Sequence, residues 1–228
     1  MIVNKKTFIR GLIMLALFMG VLISLFMPLF NGQNSMQYLD SLYNSISKAS
    51  AYYIPDVQSE AEKLNGRTVS MSLPYDNTEQ VLQTRMLFEK TGVQVSEEDG
   101  RLNIEGDLGR MMAGCLEDAD AMYYNDGETV SGKYGYDERR VLYNWAHVIE
   151  LAVHDLKDQK KFEEAKILDL ALEKGVRASY NYYQVEPQSI RERLWVVITS
   201  LLFYVIYTLW YGFAIMYLFE GWGMQLDH

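Results

Sequence analysis

Two uncharged apolar runs dominate the chain, Gly11 to Phe30 and Leu194 to Phe219. A hydrocarbon core about 30 Å thick takes roughly 20 helical residues to cross, and a charge near its centre costs at least a few kcal/mol. Both runs satisfy those conditions, so the pattern predicts transmembrane helices at 11–30 and 189–219 with short tails at 1–10 and 220–228. Ser189 with Glu192 forms a capping box that starts the second. The first run is longer than the apolar stretch of a cleaved signal peptide, about 7–15 residues. It leads into Met27-Pro28-Leu29-Phe30 with no Ala-x-Ala-like site, and it reads as an uncleaved anchor. Cys115 lies too far downstream for lipoprotein processing.

Between the runs the periodicity changes several times. Asn31-Gly32-Gln33-Asn34 breaks the chain, and Ser35 is positioned to cap a helix with Met36, Leu39, Tyr43, Ile46 and Tyr53 on one face. Pro55 interrupts this juxtamembrane segment (31–66), and Asp56 to Leu64 reads as a short helix ending at Asn65-Gly66. From Arg67 to Leu73, Val69, Met71 and Leu73 alternate with polar residues, the mark of a half-buried strand stopped by Pro74. Asp76 with Glu79 suggests a capping box for a helix to Thr91, which Gly92 stops. Val93 and Val95 begin a second strand; Leu102 and Ile104 form a third. Asp99-Gly100 is the signature of a two-residue hairpin turn, and pairing Glu98 with Arg101 sets Val95 opposite Ile104. Gly106-Asp107 opens a helix with Leu108, Met111, Cys115, Ala119 and Met122 along its inner side.

Residues 67–124 thus form a β-α-β-β-α unit. In element order it resembles the ring-building modules of bacterial secretion machinery and half of a ferredoxin-like fold. Asn125 to Tyr136 holds three glycines and reads as a loop. Asp137 caps a helix with Val141, Trp145, Val148, Ala152 and Leu156 as its core stripe, and Leu142, Ile149 and Val153 beside it. After a turn at 158–161, Phe162, Ala165, Leu168, Leu172, Val176 and Tyr180 line a returning helix, completing a helical hairpin over 137–186. Phe162-Glu163-Glu164-Ala165 resembles the second helix of a tetratricopeptide repeat. A solenoid needs about three repeats, so an ordinary hairpin is expected. The expected fold class is an α+β membrane protein: a mostly helical domain outside the cytoplasm between two transmembrane helices.

Charge narrows the partners. Residues 31–190 hold 27 acidic and 16 basic side chains, a balance of −11. Such a surface repels phosphate backbones, so no nucleic acid is expected. A single cysteine excludes an intramolecular disulfide and a Cys-rich zinc site, and the apolar neighbours of Cys115 mark it as buried. Lys5, Lys6 and Arg10 precede the first apolar run, and Lys48 is the one basic residue in the twenty that follow it. That bias places the termini in the cytoplasm and the domain outside. Arg191, Arg193 and a tail without Lys or Arg point the other way.

Candidate chemistry is sparse. His147, Glu150, His154 and Asp158 follow one another along one face of the 137–158 helix, and imidazoles and carboxylates suit zinc or a similar ion. Residues seven apart stand about 10 Å apart along a helix axis, and the same face reads as the solvated side of an amphipathic helix. Glu97-Glu98-Asp99 and Glu117-Asp118-Ala119-Asp120 read as a hairpin tip and a polar helix face. No phosphate-binding loop, nucleophile elbow or catalytic triad is recognisable, and no cofactor is expected.

The apolar runs carry more information. Ala16, Gly20 and Ser24 form a small-residue stripe that permits close helix approach, while Ser200, Tyr204, Thr208 and Tyr211, with Tyr207 beside them, form a hydroxyl stripe. Either the two stripes pack on each other or they meet a second protein. Tyrosine occurs 17 times, including Tyr52-Tyr53, Tyr123-Tyr124 and Tyr182-Tyr183, and it suits interfaces. The leading expectation is a non-enzymatic accessory, scaffolding or assembly subunit of a bacterial-type inner-membrane complex, its partners lipids and a membrane protein or a second copy. A ligand-binding sensor module is the alternative, and a metal-dependent hydrolase the third.

Overall fold

In the computed structural model, which describes residues 2–75, 77–98 and 100–224, the first apolar run folds as helix α1, Lys5–Leu25. It starts earlier than the charge-free run because Asn4 accepts a hydrogen bond from the Thr7 amide at 3.2 Å. It also ends earlier, ahead of Met27-Pro28, since proline biases the residue before it away from helical backbone. Asn31 and Gly32, both at positive φ, turn the chain sharply, so that Phe30 and Gln33 exchange backbone hydrogen bonds.

Helix α2, Ser35–Ser50, follows. Its cap is Asn34 rather than Ser35: the Gln37 amide donates to Asn34 Oδ1 and the Asn34 amide donates back to Gln37 Oε1. The apolar face expected of this helix does not turn inward as a whole. Leu42, Ser45 and Lys48 are its buried positions, Met36 is exposed, and Leu39 borders an open groove. The second apolar run lies in helix α10, Ile190–Trp222. Ser189 caps it by accepting from the Arg191 amide at 3.3 Å, and Gly223, at a φ of +85°, ends it three residues beyond the expected Phe219. At 1.5 Å per residue its 33 residues reach about 50 Å. Both α1 and α10 are long and apolar enough to cross a membrane.

The chain divides into two units, Met1–Ala49 with Pro187–His228, and Ser50–Glu186. The second unit opens with α3, Ile54–Ala61, and a 3₁₀ turn, Glu62–Leu64. This helix starts two residues ahead of the expected Asp56, with Pro55 in its first turn, where the amide it lacks would have no partner. Strand β1 (Thr68–Pro74), α4 (Thr78–Thr91), β2 (Gln94–Glu98), β3 (Arg101–Asp107) and α5 (Leu108–Tyr123) come next. The sheet order is β1-β3-β2, with β3 antiparallel to both neighbours. Val95 pairs with Ile104 and Glu98 with Arg101, the register that the alternation requires. The cap of α4 is Asn77, which accepts from the Gln80 amide at 3.2 Å; the expected cap Asp76, like Asp99 of the hairpin turn, lies outside the described residues.

The core of this unit gathers β1, β3, α5 and α7 (Glu138–Asp158). Leu108, Met111, Cys115, Ala119 and Met122 of α5 are all buried, as are the eight apolar residues expected on α7. Two departures stand out. The segment expected to be a loop at 125–136 contains helix α6, Gly127–Tyr134. Asp126 caps it by accepting from the amide and hydroxyl of Thr129, Val130 and Tyr134 bury one face, and Gly135 ends it at a φ of +78°. The returning arm of the hairpin is α8 (Phe162–Ala171), a π-helical stretch (Leu172–Arg177) and α9 (Ala178–Tyr182). Phe162, expected inside, is 65% exposed.

Candidate functional site: the α1–α10 pair and the tyrosine cluster

Helices α1 and α10 run antiparallel, with the amides of Val3 and Asn4 donating to the Gly221 carbonyl at 3.0 Å. Their closest approach is made by glycines. A Cβ on Gly11 would stand 2.7 Å from the Leu218 nitrogen and 2.9 Å from the Ala214 oxygen. A Cβ on Gly221 would stand 2.5 Å from the nitrogen of Phe8. Only hydrogen fits at either place, and the pair closes backbone to backbone. Further along, the Phe18 ring stacks on Tyr207 at 4.2 Å and tilts against Tyr211 at 5.2 Å, while the Tyr207 hydroxyl donates to the Phe18 carbonyl at 2.9 Å.

The two stripes read from the sequence therefore part company. Ala16 and Gly20 are exposed, and a Cβ on Gly20 would meet nothing within 4 Å. Ser24 turns its hydroxyl back to the Val21 carbonyl. On α10, Tyr207 and Tyr211 pack on α1, and the Ser200 hydroxyl pairs with that of Tyr43 on α2 at 2.7 Å. Thr208 donates to the Tyr204 carbonyl within its own helix. Tyr204, near the middle of the run from Leu194 to Phe219, is 67% exposed, and its hydroxyl has no hydrogen-bond partner among the described residues. Sequence reasoning missed Gly11, Ala214 and Gly221. Their signal was present, since Ala214 and Gly221 lie seven residues apart on one face of α10.

The His147 array disperses along α7. The His147 ring stacks over Tyr143 and meets the edge of Tyr75 at 5.4 Å, Glu150 pairs with Arg177, and His154 and Asp158 point to solvent. Among the described residues no three His, Cys, Asp or Glu side chains converge on a metal position. Beside His147 lies a shallow hollow of about 290 Å³ whose polar lining is Tyr143, His147, Glu150, Arg177, Tyr180 and Asn181.

Asp118 belongs to no solvated face, contrary to the reading of its acidic run. It is 2% exposed and accepts hydrogen bonds from Tyr134 Oη at 2.6 Å, Trp145 Nε1 at 2.8 Å and Lys133 Nζ at 2.7 Å, tying α5 to α6 and α7. Burial, reinforced by this carboxylate, raises the Tyr134 phenol well above its ordinary range. Burial likewise pushes the Cys115 thiol well up, so the lone cysteine stays protonated and inert.

A second set of tyrosines gathers where the chain enters and leaves this unit. Tyr52 donates to Asp120 at 2.7 Å and lies 5.2 Å from Tyr123 and 5.4 Å from Tyr124. Tyr123 meets the edge of Tyr182, and the Lys174 ammonium sits 5.1 Å above the Tyr53 ring. Tyr124 remains 64% exposed, which leaves an aromatic surface with polar tips. Comparison with protein-family models, curated proteins and solved structures gives no match to this chain.

Proposed function

We propose that this protein is a non-enzymatic accessory or assembly subunit of a membrane complex. Its two apolar helices insert as an antiparallel pair that anchors the acidic, tyrosine-rich unit of residues 50–186 at the bilayer surface. The single observation that carries the partner reading is Tyr204. A hydroxyl near the middle of a hydrocarbon-spanning helix cannot find water, and an unsatisfied polar group there costs several kcal/mol. Tyr207 meets that need within the chain by donating to Phe18, whereas Tyr204 points outward. A neighbouring membrane protein, or a second copy, supplies the acceptor. The exposed Ala16 and Gly20 give a smooth surface on which a helix packs closely.

The bias of Lys5, Lys6 and Arg10 supports cytoplasmic termini in a cell inner membrane, with the unit of residues 50–186 outside. Purification in mild detergent tests the whole reading. A membrane partner at fixed stoichiometry, weakened by Tyr204→Leu, is expected; a chain that runs alone and monomeric contradicts it. A reporter at the carboxyl terminus should behave as cytoplasmic, and a cysteine at the exposed Glu128 should label from outside; labelling only after lysis reverses the orientation. The hollow beside His147 favours a second reading, a sensor that takes a small polar ligand. A thermal-shift screen that yields one specific small ligand would favour it over the scaffold.

A further inference from the structure

We infer that the anchoring unit carries a binding site for one anionic phospholipid, an inference that rests on the membrane reading above. The end of α1, helix α2 and the first half of α10 enclose an open groove of about 470 Å³, within the roughly 300–1,000 Å³ of ordinary ligand pockets. Leu25, Phe30, Leu39, Trp195 and Phe203 form its apolar wall, and none of its lining residues is charged. Trp195 is 80% exposed, so the chain itself leaves the groove uncovered.

Charge and length identify the occupant. Along α10 the residues at four-residue spacing are Arg191, Trp195, Thr199 and Phe203, and the last three line the groove. Arg191 therefore stands one turn beyond the apolar wall on the same face, and no carboxylate pairs with it among the described residues. Arg193, two residues on, faces the other side of the helix, with its Nε held by Gln188 at 2.8 Å. Both arginines sit in the first turn of α10, where the helix dipole also favours an anion. From Arg191 to Phe203 the axial distance is about 18 Å, close to one leaflet of a hydrocarbon core about 30 Å thick. A phosphate next to an acyl chain of that length belongs to a phospholipid. A partner helix of ordinary composition presents no such pairing of charge and grease. Arg191 holds the phosphate, Trp195 lies at the headgroup boundary where its amphipathic ring is favoured, and the acyl chain follows Thr199 to Phe203.

Native mass spectrometry of the full chain in mild detergent, titrated with phosphatidylglycerol and separately with phosphatidylcholine, tests the site. The expected result is that each copy of the chain, within whatever assembly it forms, retains one phosphatidylglycerol in clear preference to phosphatidylcholine. Arg191→Gln should weaken retention about fivefold, given about 1 kcal/mol per basic residue at a lipid surface, whereas Arg193→Gln, on the other side of the helix, should leave it unchanged. The preference of the unaltered chain decides the matter even if the variants fold poorly. Equal retention of both lipids, a bare monomer, or a dimer in which a second copy closes the groove would each overturn the proposal. Carbonate washing of native membranes separates the two levels. A chain released into the wash refutes the spans themselves, whereas a chain that stays in the membrane yet holds no lipid refutes only the site.

Discussion

Gly11 of α1 rests against the backbone of Leu218 on α10, so near that a single added carbon would stand 2.7 Å from the Leu218 nitrogen. This contact, and not the four-spaced small residues of α1, sets how closely the two apolar helices pack.

Gly11→Leu should separate the pair, at a cost of about 1–3 kcal/mol by overpacking. Cysteines placed at Phe18 and Tyr207, whose rings stack at 4.2 Å, report the outcome through their crosslinking yield. Gly11→Leu should reduce the yield severalfold or more, and Gly20→Leu should leave it unchanged because its Cβ meets open space. Equal yields in both variants would contradict the observed packing.

Asp118 gathers three donors from α6 and α7 in a buried position. Asp118→Ala leaves the Trp145 and Tyr134 donors without an acceptor and strands the partly buried Lys133, at a cost of about 3–5 kcal/mol. Asp118→Asn keeps an acceptor and should cost less. Urea unfolding of the full chain measures both; a loss below about 1 kcal/mol for the alanine variant would remove Asp118 from the core.

Alkaline pH should destabilise the unit of residues 50–186. Burial pushes the phenols of Tyr75 and Tyr136 up to about 12, against about 10 in an unfolded chain. Between those values the unfolded chain has lost protons that the folded one keeps. Their stabilising contribution is therefore complete below about pH 10 and falls as pH rises. The slope reaches about 1.4 kcal/mol per pH unit for the largely buried Tyr75. Melting curves from about pH 9 to 11.5 should show the fall, and Tyr75→Phe should flatten it; a melting temperature constant across that range would contradict the shifts.

The strand register was readable because its two halves agree: the turn at Gly100 and the alternation of Val95 with Ile104 allow one pairing. The caps at Gly92 and Asp137 were readable for a similar local reason. Helix α6 was obscured by Gly127, Gly132 and Gly135, which outweighed the Asp126 cap and the Val130–Tyr134 pair, because a helix this short draws its stability from tertiary burial. Asp118 was hidden inside an acidic run. Yet it follows Cys115 by three residues and precedes Met122 by four, which puts it on the inner stripe. The α1–α10 contact was hidden for another reason: spacing on one helix shows which residues share a face, not which face the neighbour takes. Only the groove beside Trp195 required three separated segments, and no local pattern could have foretold it.

The partner-facing role of α10 is tested most directly by a photoreactive phenylalanine analogue at Tyr204, irradiated in intact membranes, with Tyr207 as the inward-facing control. A discrete crosslink at position 204 to another membrane protein or a second copy is expected, with position 207 giving only attachment within the chain. Lipid adducts alone at position 204 would show that this face meets the bilayer, and would contradict the assembly reading.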